Sequence, residues 1–151
     1  MNKEYLYNNE AIAALALLSV MRHCEAIQLS SALLISPLLL HSPTLKRISL
    51  SSFKIRSIEE FIVKYPECFA NFQERYKSLL AISINSVAIA IEMKKIEVKN
   101  GYLIKSKEFD TISFNIPLGI RAKSIIRSSE KIAIIFSEKS SNLHLHLRLP
   151  V

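Results

Sequence analysis

Glycine is scarce in this chain: Gly101 and Gly119 are the only two in 151 residues. An all-β fold draws on more turn formers than this, and five prolines, Pro37, Pro43, Pro66, Pro117 and Pro150, must do most of the remaining turning. Two isolated glycines also cannot build a phosphate-cradling loop, which removes the usual nucleotide enzymes from consideration. Cysteine is scarce too. Cys24 and Cys68 each sit in an apolar helical pattern, and no segment resembles a secretory signal, so a reducing, cytoplasmic setting is expected.

An unbroken apolar run is also missing. Ala26 to Leu45 carries no Lys, Arg, Asp or Glu and is just long enough to span a bilayer. Gln28, Ser30, Ser31, Ser36, His41 and Ser42 interrupt it, however, and Pro37 and Pro43 would break its hydrogen bonding. A buried helical hairpin or bent helix is expected there, and no membrane partner.

What the chain has in abundance is apolar surface: half the residues are apolar and only 22% are charged, with a mean hydropathy of +0.23. A chain of this length makes about one domain, here 1–151, with a helical part over about 8–80 and a winged-helix-like part over about 81–151. Some of its apolar surface is expected to meet a partner. The net charge of +7 is uneven: Met1 to Ile91 carries nine Lys/Arg against seven Asp/Glu, and Glu92 to Val151 eleven against six. Such a bias attracts nucleic acid or an acidic protein surface without choosing between them.

Asn8 and Asn9 precede an apolar stretch from Glu10 to about Cys24, the pattern of a capped helix with an acid in its first turn. Ile12, Leu15, Leu17, Leu18 and Met21 lie on nearly all sides, which makes this helix central or shared. A second helix starts at Ser30 or Ser31 and runs through Leu38 and Leu39, bent or ended at Pro37. Ser57 to Glu60 fits a capping box, and Pro66 with Glu67 fits the first turn of a helix running to about Leu80.

Ser83 to Lys95 continues at helical spacing, and then the period changes. Ile96 to Lys99 and Tyr102 to Lys105 are two β-prone runs joined by Asn100-Gly101, a dipeptide suited to the positive backbone angles of a two-residue hairpin turn. A helix followed at once by a tight hairpin predicts a winged-helix-like core in a mainly helical α+β fold. An irregular stretch through Phe114 and Pro117 follows. Gly119 to Ser137 then resumes helical spacing, and Leu143 to Leu149 alternates strictly, which predicts a C-terminal strand.

Little in the chain can carry catalysis. His23, Cys24, His41, Cys68, His144 and His146 show no zinc-finger spacing; His144 and His146 would share one strand face, but two ligands fall short of the four that structural zinc wants. Cys68 has no base readable nearby, and Cys24 points away from His23 on a helix. Glu59 and Glu60 are explained as helix-start charges. No enzyme activity, metal or cofactor is expected.

Nucleic-acid binding is the competing reading, because winged helices dock a recognition helix in the major groove. With Ile84, Val87, Ala88 and Ile91 inward, the outward residues of the Ser83–Lys95 helix are Ser86, Ile89, Ala90 and Met93, none a strong bidentate reader of bases. These four are therefore the expected partner-binding residues. Basic side chains lie just beyond: Lys94, Lys95 and Lys99 around the hairpin, and Lys123, Arg127 and Lys131 at four-residue intervals. They are candidates for contact with phosphate or an acidic surface. Glu92, Glu97 and Glu130 dilute them.

Several segments together resemble the middle component of ABC-type three-component systems, including the corresponding subunit of Lamassu-type antiviral defence operons. They are Tyr7-Asn8-Asn9-Glu10-Ala11, Leu38-Leu-Leu-His41, Phe72-Gln-Glu-Arg75 running into Leu79, the helix with its Asn100-Gly101 wing, and Lys131-Ile-Ala-Ile-Ile-Phe-Ser137. The likeness runs from Tyr7 to Leu147. It departs from the family's pattern at Glu10, where a proline is common, and at Ala133 and Ile135, where a glycine and an aromatic residue are. The resemblance implies a non-catalytic subunit between an SMC-like ABC ATPase with a coiled-coil arm and an effector, commonly a nuclease, with DNA contact arising through the complex. The alternative is an autonomous winged-helix DNA-binding regulator.

Overall fold

The computed structural model describes residues 9–114 and 119–150. Tyr7, Asn8 and Pro117 lie outside them. Helix α1, Glu10–Met21, starts as its sequence predicts: Asn9 is extended, and its side-chain oxygen accepts the Ile12 amide at 3.1 Å. It ends at Met21, short of His23 and Cys24, which follow in a turn. Buried residues circle its second half, from Ala13 and Ala14 through Met21. The long helix α6, Phe72–Glu92, and helix α7, Ile120–Ile132, both pack against it, so α1 is the central element.

Between α1 and α6 the chain differs from the sequence reading in two places. A short strand β1, Ala26–Gln28, precedes the second helical region, and three residues are too few to show a period of two. That region is two short helices, α2 (Leu29–Ala32) and α3 (Ile35–Leu39), broken at Leu33–Leu34. Pro37 explains the break, since it lacks an amide and its ring crowds the carbonyl four residues earlier, that of Leu33. Helix α4, Ser42–Ile48, follows, and α5, Ile58–Lys64, opens at Ser57, whose hydroxyl accepts the Glu60 amide at 3.1 Å. The Glu60 carboxylate reaches back to the amide of Arg56, one residue before the usual capping-box partner.

The helix predicted from Pro66 to Leu80 is instead a 3-10 turn, Pro66–Phe69, separated from α6 by Asn71 in the left-handed region at φ 54°. Ser83–Lys95 is correspondingly not a separate helix. Ser83 to Glu92 is the second half of α6, which runs through residues 80 and 81 without a break, and Met93 to Lys95 lie past its end. Lys94 closes α6 at φ 58°, with its amide donating to Ile91 and that of Lys95 to Ala90, the paired bonds of a left-handed helix stop.

The hairpin forms as read. Strands β2 (Ile96–Lys99) and β3 (Tyr102–Lys105) pair antiparallel with Lys99 opposite Tyr102, and Asn100 and Gly101 take φ of 52° and 79°. β1 joins the other edge of β3, giving the sheet order β1-β3-β2. Helix followed by hairpin, in a mainly helical α+β fold, is thus the observed architecture.

The predicted C-terminal strand is a helix, α8, Ser140–His146. Its burial decides the matter: Leu143, His144 and Leu147 are 1%, 5% and 7% exposed while Leu145 is 71% exposed, a distribution helical spacing produces and a strand face does not. His144 and His146 therefore share no strand face, and His146 instead meets Glu59 of α5 at 2.8 Å. One apolar core joins residues of every part, from Ala13 through Phe61 and Ala90 to Leu149.

Candidate interaction face

α6 is a long helix with two unequal faces. Toward the core it buries Phe72, Leu79, Ser83, Ser86, Val87 and Ala90. On the opposite side, at intervals of four and three, Ile84, Ala88 and Ile91 face solvent, with Ile84 51% and Ile91 38% exposed. Met93 at the helix end is 52% exposed, and the hairpin adds Val98 and Tyr102, also exposed, on its two opposite faces.

The four expected partner-binding residues are thus not on one outward face. Met93 is exposed and Ile89 half-buried, but Ser86 and Ala90 are 3% and 0% exposed and belong to the interior. Of the four residues read as inward, Val87 is buried while Ile84, Ala88 and Ile91 are exposed, so the helix is rotated from a reading that sent the larger aliphatic side chains inward. The buried side of α6 mixes the small Ser83, Ser86 and Ala90 with Phe72, Leu79 and Val87, and α1, which packs against it, has buried Ala13, Ala14 and Ala16. Small side chains on both helices let their backbones approach closely. Ile84, Ala88 and Ile91 were missed for the same reason; the signal that could have found them was the Ser83, Ser86, Ala90 spacing set beside an alanine-rich first helix.

The basic candidates are dispersed. Lys94, Lys99, Lys123 and Arg127 are exposed. Lys95 is engaged with Thr111 and the Glu108 carbonyl beneath the hairpin. Lys131 is not on a solvent face: its ammonium donates to the carbonyls of Ile48 and Leu50 at 2.9 and 2.7 Å, capping the end of α4.

Two of the segments behind the family likeness meet at one junction. The side chain of Arg75 reaches His41, with Nη1 2.9 Å from Nδ1 and 3.1 Å from Nε2 of the ring, and its other nitrogen donates to the Cys68 carbonyl at 2.6 Å. His41 Nδ1 lies 2.7 Å from the Thr44 hydroxyl, which donates to the same carbonyl. A neutral ring donating from Nδ1 to Thr44 and accepting Arg75 Nη1 at Nε2 accounts for two of these contacts, and the approach of Nη1 to Nδ1 is then not a hydrogen bond. Burial, with the neighbouring guanidinium, holds His41 down at about 4. The cluster ties the ends of α3, the 3-10 turn and α6 together.

Burial pushes both the Cys24 and Cys68 thiols upward, the opposite of an activated nucleophile. Among the described residues no three of His, Cys, Asp and Glu gather in a metal-binding group, and no helix is long and apolar enough to cross a membrane.

The fold is mainly helical α+β, and its long helix α6 shows an apolar stripe to solvent. The chain belongs to the family described as ABC-three component (ABC-3C) system Middle Component 3, which it matches over residues 2–147. No curated protein and no solved structure matches it.

Proposed function

We propose that this middle component is a non-catalytic adaptor, linking an SMC-like ABC ATPase to an effector subunit, a nuclease, in a cytoplasmic anti-phage or anti-plasmid defence complex of the Lamassu type. Family membership supports a place among the components of an ABC system. The observation that carries the adaptor reading is the solvent-facing row of Ile84, Ala88 and Ile91 on α6. Aliphatic side chains repeated along one helix face lose nothing when another protein covers them and gain the burial of their own surface.

The same row speaks against the regulator alternative, because it offers no hydrogen-bonding group to a base edge. Co-expression of the tagged chain with the neighbouring ATPase and effector genes tests the reading. Both proteins are expected to co-purify with it, and Ile84→Glu with Ile91→Glu to abolish capture of at least one. A wild-type chain that stays alone in the presence of both would overturn the proposal, as would tight, sequence-selective duplex binding by the chain itself.

A further inference from the structure

An open groove of about 360 Å³ runs between α4 and α7, with Leu45 and Leu50 as its apolar part. That is space for roughly ten waters, enough for a hydrated phosphodiester and too little for a folded segment. Along α4 the wall consists of Ser42, Lys46 and Ser49, spaced by four and three residues so that they share one side of the helix. The α7 wall supplies Arg121 and Ser124. Among the described residues, every polar member of the lining is a hydroxyl or a cation and none is a carboxylate.

The walls are held in place by the chain's own bonds. Arg121 donates from Nη2 to the Leu40 carbonyl at 2.9 Å, which fixes the guanidinium beside the groove. Ser49 donates to the Leu45 carbonyl at 2.7 Å and sits 3.2 Å from the Ser128 hydroxyl across the helix junction. The carbonyls at the end of α4 would make that end electronegative, and Lys131 neutralises it. Glu67 is engaged by Arg47 at 3.0 Å. Arg127, one turn after Ser124 on α7, is exposed.

We infer that the groove between α4 and α7 binds the sugar-phosphate backbone of nucleic acid, through Lys46, Arg121 and the hydroxyls of Ser42 and Ser124, without reading sequence. Lysine, arginine and serine are the donors that take phosphate oxygens and position a protein on a nucleic acid. Among the described residues of the lining there is no asparagine or glutamine, the side chains that read bases. An acidic peptide would need amide partners for its own backbone and apolar contact along its length, and the groove offers neither beyond two leucines. The site lies on α4 and α7, not on α6 or the hairpin, so it stands independently of the adaptor reading.

Fluorescence anisotropy of the full-length chain with a short labelled duplex of mixed sequence tests this. The wild type is expected to bind scrambled duplexes equally, with a log–log salt slope of about −2 for two phosphates neutralised. Lys46→Gln is expected to flatten that slope by about one, and Lys46→Glu with Ser124→Glu to weaken binding by at least about tenfold at low salt. Lys94→Glu with Lys99→Glu, on the hairpin side, is expected to stay within about twofold of wild type. Thermal melts of each variant separate loss of contact from loss of fold. The inference is overturned if the hairpin variant carries the loss instead, if the folded wild type binds no duplex at low salt, or if polyglutamate displaces DNA and binds more tightly than it.

Discussion

The outer stripe of α6 shows solvent Ile84, Ala88 and Ile91, whereas the groove between α4 and α7 shows it Lys46, Arg121 and three serine hydroxyls. Both regions are open, and they lack opposite things. The stripe has no group that could replace water at a charged ligand, so only burial makes a contact there favourable. The groove has an apolar part at Leu45 and Leu50, but it also presents two cations, whose attraction for a ligand is electrostatic and sensitive to salt. Exposure alone therefore says little about what a surface meets; the chemistry that water now satisfies says more.

The largest expected effect comes from turning one region into the material of the other. Ile84→Glu with Ile91→Glu should weaken partner capture by about 3 kcal/mol, the cost of removing two buried anchors from an interface. The stability of the isolated chain should fall by less, about 1 kcal/mol or under, because Ile84 and Ile91 are already 51% and 38% exposed. Pull-down and urea denaturation on the same preparation check the pair. Equal losses in both would mean that the stripe belongs to this chain's own core.

The reverse face of α6 sharpens the contrast. Ala90→Leu should leave the stripe chemically intact and cost about 1–3 kcal/mol in urea, since a fully buried alanine beside α1 has no room for three more carbons. This is also where the sequence was least legible. The caps at Asn9 and Ser57, the Asn100-Gly101 turn and the helical start of α7 could be read directly, because each rests on a local rule of backbone geometry. The rotation of α6 could not, because it depends on how closely α1 approaches, which is set by a partner some sixty residues away.

The strand expected at Leu143–Leu149 failed for a related reason: alternating leucines also place Leu143 and Leu147 on one helical face, and α2 and α5 stand ready to receive them. As for the site, Met93 was correctly placed outside, while Ser86 and Ala90 were not, and the groove residues Lys46 and Arg121 were passed over. They sit on separate helices and become neighbours only in the fold.

A smaller effect separates the scaffold from both regions. His41 is held at about 4 by burial and by Arg75, so the folded chain prefers it neutral while the unfolded chain takes up a proton near 6.5. The unfolded state binds more protons between those values, and stability is full above about pH 6.5 and falls as the pH drops toward about 4. His23, also lowered by burial, acts in the same sense, so the wild-type slope alone does not assign the effect. His41→Asn should shallow the loss of stability between about pH 7 and about pH 5 in urea titrations, with the remaining slope due to His23. An unchanged slope would place the effect elsewhere.

The smallest expected change tests whether the polar lining of the buried α6 face is needed. Ser86 satisfies itself by donating to the Ser83 carbonyl at 2.7 Å, whereas the hydroxyl of Ser83 is buried without a hydrogen-bond partner among the described residues. Removing an unpaired buried hydroxyl relieves its desolvation, so Ser83→Ala should be neutral or stabilising by up to about 1 kcal/mol. Ser86→Ala, by contrast, removes a bond that was made and should cost about 0.5–1 kcal/mol. If small size is what this face requires of its residues, the two alanine variants will keep wild-type partner capture while moving stability in opposite directions. A loss of capture in Ser83→Ala would show instead that the hydroxyl, not the volume, is what the α1–α6 packing transmits to the outer stripe.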